Sequence, residues 1–147
     1  MLYFAYGMNT NQEEMRHRCP QARAIGAARL LDHTFRFAQH ADVVVEPGCY
    51  VDGVLWDITD QCLQALDQLE GYPYYYNRAE LEVDFEGHVF HATTYFMHDG
   101  HEDALPSQGY FDMVLEGYVD NGVPVDQLHN ALTSPEDVAH LQHQFVQ

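Results

Sequence analysis

Tyr3-Phe4-Ala5-Tyr6-Gly7-Met8-Asn9 opens the chain, and its reading decides the architecture. Residues 2–6 form a short apolar run of the kind that makes a buried strand. Gly7 lets the backbone turn sharply or approach a ligand closely. Thr10, with Glu13 three residues on, has the spacing of a capping box, and the helix it predicts ends before Cys19-Pro20. A strand that turns through glycine into a helix leaves free N–H groups at the positive end of the helix dipole. Such a place receives a carboxylate or a phosphate. It is also the form of an ordinary strand-to-helix connection, and spacing alone does not separate the two.

Outward from this segment the chain reads as strands. Residues 25–31 and 33–39 are predicted strands, the second with Phe35 and Phe37 alternating, and Val43-Val44-Val45 suggests another. Asp52 to Ile58 puts Val54 and Trp56 on one face and Leu55 on the other. Thr59 or Asp60 then begins a helix with Leu63, Leu66 and Leu69 as its apolar stripe and Gly71 as its stop. Residues 78–85 and 88–97 are β-rich, and Glu86-Gly87 supplies the turn of a hairpin. Residues 107–118 carry Tyr110, Phe111, Val114, Leu115 and Tyr118 at helical spacing, and residues 124–131 allow a short helix. Ser134-Pro135-Glu136-Asp137 starts a last helix, with Val138, Leu141 and Phe145 on its apolar face. Strands fill the first two thirds and helices the end. The expectation is an α+β fold, a curled or barrel-like sheet flanked by helices, in one domain over residues 1–147.

The net charge of -17, from six Arg, no Lys and 23 acidic residues, argues against nucleic acid and anionic membranes as partners. The missing lysine removes a P-loop, a Schiff base and a Ser-Lys dyad. Cys19, Cys49 and Cys62 are odd in number and show no CxxC spacing, which suits a reducing compartment. Residues 1–8 are too short for a signal-peptide core, and no apolar run reaches the roughly 18 residues of a membrane span. A cytoplasmic protein is expected.

Glu70 is the candidate for chemistry. On a helix it falls four residues after Leu66 and seven after Leu63, on the apolar side, and at the end where the dipole disfavours negative charge. Both effects raise a carboxylate's pKa and suit it to take and return a proton near pH 7. A frayed, solvated Glu before a stop glycine has the same sequence. Asp67 reads as a partner for Glu70 or, better, as a local hydrogen-bond acceptor. His88, His91, His98 and His101 lie in one stretch with Asp99, Glu102 and Asp103; His98-Asp99-Gly100-His101 could bind a divalent ion if the loop folds back, but His88 and His91 differ by three on a strand and face opposite ways, which disfavours a metal site. His140 and His143 read as surface residues of the last helix. Ser107 and Ser134 lack Gly-x-Ser-x-Gly, and Cys62 reads as core. Tyr72, Tyr74, Tyr75 and Tyr76 read as an aromatic wall or as plain packing; Arg78 and Arg36 read as structural ion-pair partners.

Four segments in this order resemble the γ-glutamylcyclotransferase family (the AIG2-like or BtrG-like group) over nearly the whole chain. Tyr6-Gly7-Met8-Asn9 is similar to the family's Tyr-Gly-Ser-Asn loop, with Met8 where Ser is usual. Gly53-Val54-Leu55-Trp56 is similar to its Gly-x-x-[Trp/Tyr] strand. Leu66-Asp67-x-x-Glu70-Gly71 with Tyr76-Asn77-Arg78 resembles its Leu-Asp-x-x-Glu-Gly…Tyr-x-Arg stretch. Pro106-Ser107-x-x-Tyr110 with Gly117 and Gly122-Val123-Pro124 resembles its C-terminal segment. The resemblance implies a small β-barrel flanked by helices. It implies that a γ-glutamyl compound's own α-amino group attacks its γ-carbonyl, releasing 5-oxoproline and a free amine or amino acid. Glu70 would carry the proton, the backbone of Tyr6, Gly7, Met8 and Asn9 would hold the glutamyl end, and Tyr110 would orient it. No metal, nucleotide or other cofactor is implied; the partner is a small γ-glutamyl substrate, and a homodimer is left open. The competing reading is a small-molecule binding or regulatory module on the same fold, favoured by Met8. A third, a γ-glutamyl group on a bulky cationic carrier, rests on the acidic stretch 99–104.

Overall fold

The computed structural model describes residues 1–132. Five strands close into a barrel: β1 (Leu2–Ala5), β2 (Arg23–Ala38), β3 (His40–Asp57), β4 (Tyr76–Phe85) and β5 (His88–Met97), in the order β1-β3-β2-β4-β5. Two hairpins build most of it. β2 and β3 pair antiparallel from Arg23↔Asp57 to Ala38↔His40, and β4 and β5 from Tyr76↔Met97 to Phe85↔His88. The second hairpin turns through Glu86 and Gly87, both at positive φ, which matches the right-handed twist of the strands. β1 is the seam, antiparallel to β3 from Leu2↔Asp57 to Ala5↔Val54 and parallel to β5 at Tyr3↔Thr93. Gly53 admits it: a Cβ there would lie 2.4 Å from the Ala5 carbonyl oxygen.

Strands predicted as four separate pieces are two long ones. Asp32 takes φ 59 and shifts the register between Leu31 and His33, a bulge rather than a break, so 25–31 and 33–39 are one strand. Val43-Val44-Val45 and Asp52–Ile58 likewise fall on or against β3, which runs through residues 46–49, unpaired opposite Asp32, and resumes its pairing at Leu31↔Tyr50. The first helix is also displaced. Met8–Thr10 form a 3₁₀ turn, and α1 (Gln12–Arg18) is capped by Asn11, whose side chain accepts the Glu14 N–H at 3.1 Å. The Thr10 hydroxyl is turned back to donate to the Gly7 carbonyl at 2.7 Å, inside the 3₁₀ turn and not at the start of α1.

Helix α2 (Asp60–Glu70), capped by Thr59, and α3 (Gln108–Asp120), capped by Ser107, pack outside the sheet; α4 is Asp126–Asn130. Leu66 of α2 and Phe111, Val114 and Tyr118 of α3 join Phe4, Leu30, Val54 and Val83 of the strands in one core. Of the predicted α2 stripe, Leu66 is fully buried, Leu63 partly, and Leu69 is 47% exposed. Gly117 lets α3 touch the 3₁₀ turn, since a Cβ would lie 2.3 Å from the Thr10 hydroxyl and 2.6 Å from the Asn11 nitrogen. Asn11 and Asn121 side chains stitch the two together through the Met113 and Thr10 carbonyls. The predicted last helix, with Ser134, Val138, His140, Leu141, His143 and Phe145, lies outside the described residues. Among the described residues no helix is long and apolar enough to cross a membrane.

Candidate active site

The end of α2 is set by its sequence. Gly71 takes φ 66, its N–H meets the Gln68 carbonyl, and the Tyr72 N–H meets that of Asp67 at 2.9 Å, a Schellman stop. Glu70 is therefore held in the last helical turn on the Leu66 side, where it lines a cavity of about 230 Å3 at one end of the barrel. Asp67 is neither a partner of Glu70 nor a local acceptor. It takes both prongs of the Arg78 guanidinium, at 2.9 and 3.3 Å, and the Tyr95 hydroxyl at 2.7 Å. Those bonds fasten the helix to β4 and β5 because its 3.6-residue period points Asp67 at the sheet and leaves Glu70 to the cavity.

Tyr6, Gly7, Met8, Asn9, Glu70 and Tyr110, the residues singled out in the sequence, all line this cavity. In the 3₁₀ turn, Thr10 and Asn11 donate their N–H groups to the Gly7 and Met8 carbonyls, so the Met8 and Asn9 N–H groups have no partner within the turn. Gly7 is closely packed, its missing Cβ 3.0 Å from both Ala41 Cβ and the Tyr110 hydroxyl. That hydroxyl accepts the Ala41 N–H at 3.0 Å and a backbone hydrogen bond from Met8, which leaves its own proton to be donated. Tyr6 acts as a brace: its hydroxyl donates to the Tyr95 carbonyl at 2.6 Å and its carbonyl accepts from the Tyr118 hydroxyl at 2.5 Å.

Asn9 works through its side chain as well as its backbone. The amide nitrogen donates to the Tyr3 hydroxyl at 2.9 Å and to Glu70 Oε1 at 3.2 Å, and the amide oxygen accepts from Arg18 Nη1. Burial raises the Glu70 carboxyl from 4.5 to about 7, against the opposing pull of the Arg18 charge and the Asn9 hydrogen bond. Removal from water is thus the main cause. Tyr3, Tyr6, Tyr76, Tyr95 and Tyr110 are all pushed upward by burial and stay neutral donors around it, and burial lowers His40.

Arg18 and His40 also line the cavity and carried no signal of their own in the sequence. Arg18 ends a helix whose register depends on a cap one residue from the expected place. The tyrosine run divides between the two readings made of it: Tyr75 and Tyr76 line the cavity, Tyr74 is 88% exposed, and Tyr72 lies under the Arg78 guanidinium at 4.4 Å. Arg36 pairs with Asp42 at 2.8 Å and Asp103 at 3.1 Å. The acidic stretch 99–104 is not part of the cavity lining; Ala104 is bridged to Ala38 and the His101 ring meets Tyr75 edge-on. His98 bonds the Pro73 carbonyl, and His88 and His91 are exposed on β5. Among the described residues no three His, Cys, Asp or Glu converge as a metal ion would require. Cys62 is buried, and the buried Cys19 thiol, against the Cys62 carbonyl, is pushed up to about 12 by burial. A second cavity of about 620 Å3, between β2–β3 and β4–β5, has an apolar floor of Val43, Leu81 and Phe96.

The comparisons agree with this geometry. The family described as gamma-glutamyl cyclotransferase, AIG2-like, matches residues 3–113. A human protein named gamma-glutamylcyclotransferase is 32% identical over 139 residues, covering 85% of this chain and 73% of its own, and its mouse counterpart is 31% identical over 137. A solved structure of a gamma-glutamyl cyclotransferase superposes with a TM-score of 0.80 at 27% identity, over 97% of this chain and 98% of that one. The matched span holds the loop, the barrel, Glu70 and Tyr110 together. On that ground the chain belongs to the AIG2-like γ-glutamyl cyclotransferase family.

Proposed function

We propose that this protein cyclises a small γ-glutamyl amine or peptide, releasing 5-oxoproline and a free amine or amino acid, with Glu70 as the proton carrier. The observation that supports this most is the Glu70 carboxyl, buried in the cavity and raised to about 7. A group poised there takes the proton from the substrate's α-ammonium. The freed amine attacks the γ-carbonyl carbon, forming the ring C–N bond. As the bond to the leaving nitrogen breaks, Glu70 returns its proton to that nitrogen, and the regenerated carboxylate takes the ring nitrogen's second proton, which departs with the amine as its ammonium. The backbone of Tyr6, Gly7, Met8 and Asn9 holds the glutamyl end, the Asn9 N–H donating to its oxygens while the Met8 N–H stays on the Tyr110 hydroxyl. The Tyr110 hydroxyl, beside Gly7 and Met8, orients the substrate with its remaining proton. Amine and carbonyl belong to one molecule, so fixing its conformation supplies much of the rate.

The test is 5-oxoproline release from a panel of γ-glutamyl amino acids and γ-glutamyl amines, wild type against Glu70→Gln. The variant is expected to lose about 10²-fold or more in kcat. Full activity in the variant would refute the role of Glu70. Ligand binding by the wild type without any product would favour the binding-module reading.

A further inference from the structure

We propose that Arg18 is a positioning residue for Glu70, acting through the side chain of Asn9; the inference rests on Glu70 being the proton carrier. An asparagine amide has a donor end and an acceptor end, and the two can exchange by a half-turn. Here Arg18 decides between them. A guanidinium can only donate, so the Asn9 amide oxygen must face it. The nitrogen is then obliged to face Tyr3 and Glu70, at 2.9 and 3.2 Å. Asn9 is 3% exposed, and a buried amide turned the wrong way leaves its donor and acceptor facing like groups. Without Arg18 the amide is free to turn, with its oxygen accepting from the Tyr3 hydroxyl or from a protonated Glu70. That arrangement favours the neutral acid and weakens the base.

Arg18 is itself held. It ends α1, at the negative pole of the helix, and Glu14 lies 3.4 Å away, one turn back. Around Glu70 stand Tyr3 of β1, Tyr6, Tyr75, Tyr76 of β4, Tyr95 of β5, Tyr110 of α3 and His40 of β3. The tyrosines are neutral across the working range, and His40 titrates below its ordinary value. Arg18 is the one permanent cation lining the cavity among the described residues. Its charge and the amide it orients both oppose the burial that raises Glu70.

The experiment follows the Glu70 carboxyl carbon by NMR in labelled wild type, Arg18→Gln and Arg18→Lys, alongside pH profiles of 5-oxoproline release. Arg18→Gln should move the Glu70 midpoint up by about one unit, and the acid limb of kcat with it. Arg18→Lys, which keeps the charge but not the fork, should move both by less. An unmoved midpoint in a folded Arg18→Gln protein overturns the proposal, whatever happens to kcat. If Arg18→Gln does not fold, a wild-type midpoint in Arg18→Met, which carries neither charge nor donor, overturns it. The Glu70 reading fails separately, by undiminished release from Glu70→Gln, because the carboxyl titration does not depend on turnover.

Discussion

The Tyr110 hydroxyl lies 3.0 Å from the Ala41 nitrogen and accepts its proton. A helix outside the barrel thereby holds the main chain of β3 at the cavity wall, with the Met8 backbone on the same oxygen. Tyr110→Phe leaves the Ala41 N–H without that acceptor. The expected loss of stability is about 1–2 kcal/mol. Release of 5-oxoproline should fall further than this loss explains, with KM raised more than kcat is lowered. Thermal melts and steady-state kinetics on one preparation check both.

Glu70 makes stability depend on pH with a sign opposite to that of most carboxylates. Its folded value, about 7, lies above the unfolded 4.5, so the native state binds the proton more tightly. Its contribution is full below 4.5 and is lost as pH rises through 7, by at most about 3 kcal/mol. Glu70→Gln, neutral throughout, should be more stable than wild type at pH 8 and nearly equal to it at pH 4.5. Activity runs the other way: the acid limb of kcat/KM should have its midpoint near 7, where the carboxylate forms. Denaturant melts at the two pH values and a pH–rate profile test the pair.

Asp67→Ala removes the acceptor shared by Arg78 and Tyr95. The cost is expected at about 1–3 kcal/mol, as for a charge-assisted bond. The end of α2 then loses its tie to β4 and β5, and kcat should drop with KM little changed. Equal kcat in a measurably destabilised variant would show that the tie does not position Glu70.

Gly117→Ala tests the contact between α3 and the substrate loop. The new Cβ meets Thr10 and Asn11 at 2.3 and 2.6 Å, and both are backbone or tightly held atoms. Overpacking of this kind costs about 1–3 kcal/mol. Because the displaced element is the 3₁₀ turn, KM should rise as well, which a melt and a substrate titration together resolve.

Met8→Ser bears on the departure from the family's loop. If the loop acts through backbone N–H groups, kcat/KM should change by no more than a few-fold. A large gain in turnover would assign the serine hydroxyl a part that Met8 cannot take.

What could be read in advance follows from the range of the interaction. The side of the helix that Glu70 takes was visible in its spacing from Leu63 and Leu66, and the stop at Gly71 in the glycine itself, since both are properties of a single helix; its burial was not, because that depends on what packs around it. The 88–97 strand and its Glu86-Gly87 turn were legible for the same reason. The cap at Asn11 was not, because Thr10 fits the local pattern and is withdrawn from it by the Gly7 carbonyl. Asp32 reads as a break and is a bulge, since pairing with β3 carries the strand across it. Leu69 fits the stripe yet lies at the cavity rim, where no neighbour covers it fully. Arg18 and the partners of Asp67 depend on contacts between elements, and no periodicity records those.

The seam strand β1 has a consequence for the order of assembly. β2 with β3, and β4 with β5, are hairpins that close short loops, whereas β1 finds its partners only at residues 54–57 and 93. Closing loops of that length must precede any reward from the pairing. The 3₁₀ turn that lines the cavity is the direct continuation of β1. A refolding chain should therefore regain sheet signal before it regains turnover, with the final stave of the barrel bringing the Glu70 cavity into being.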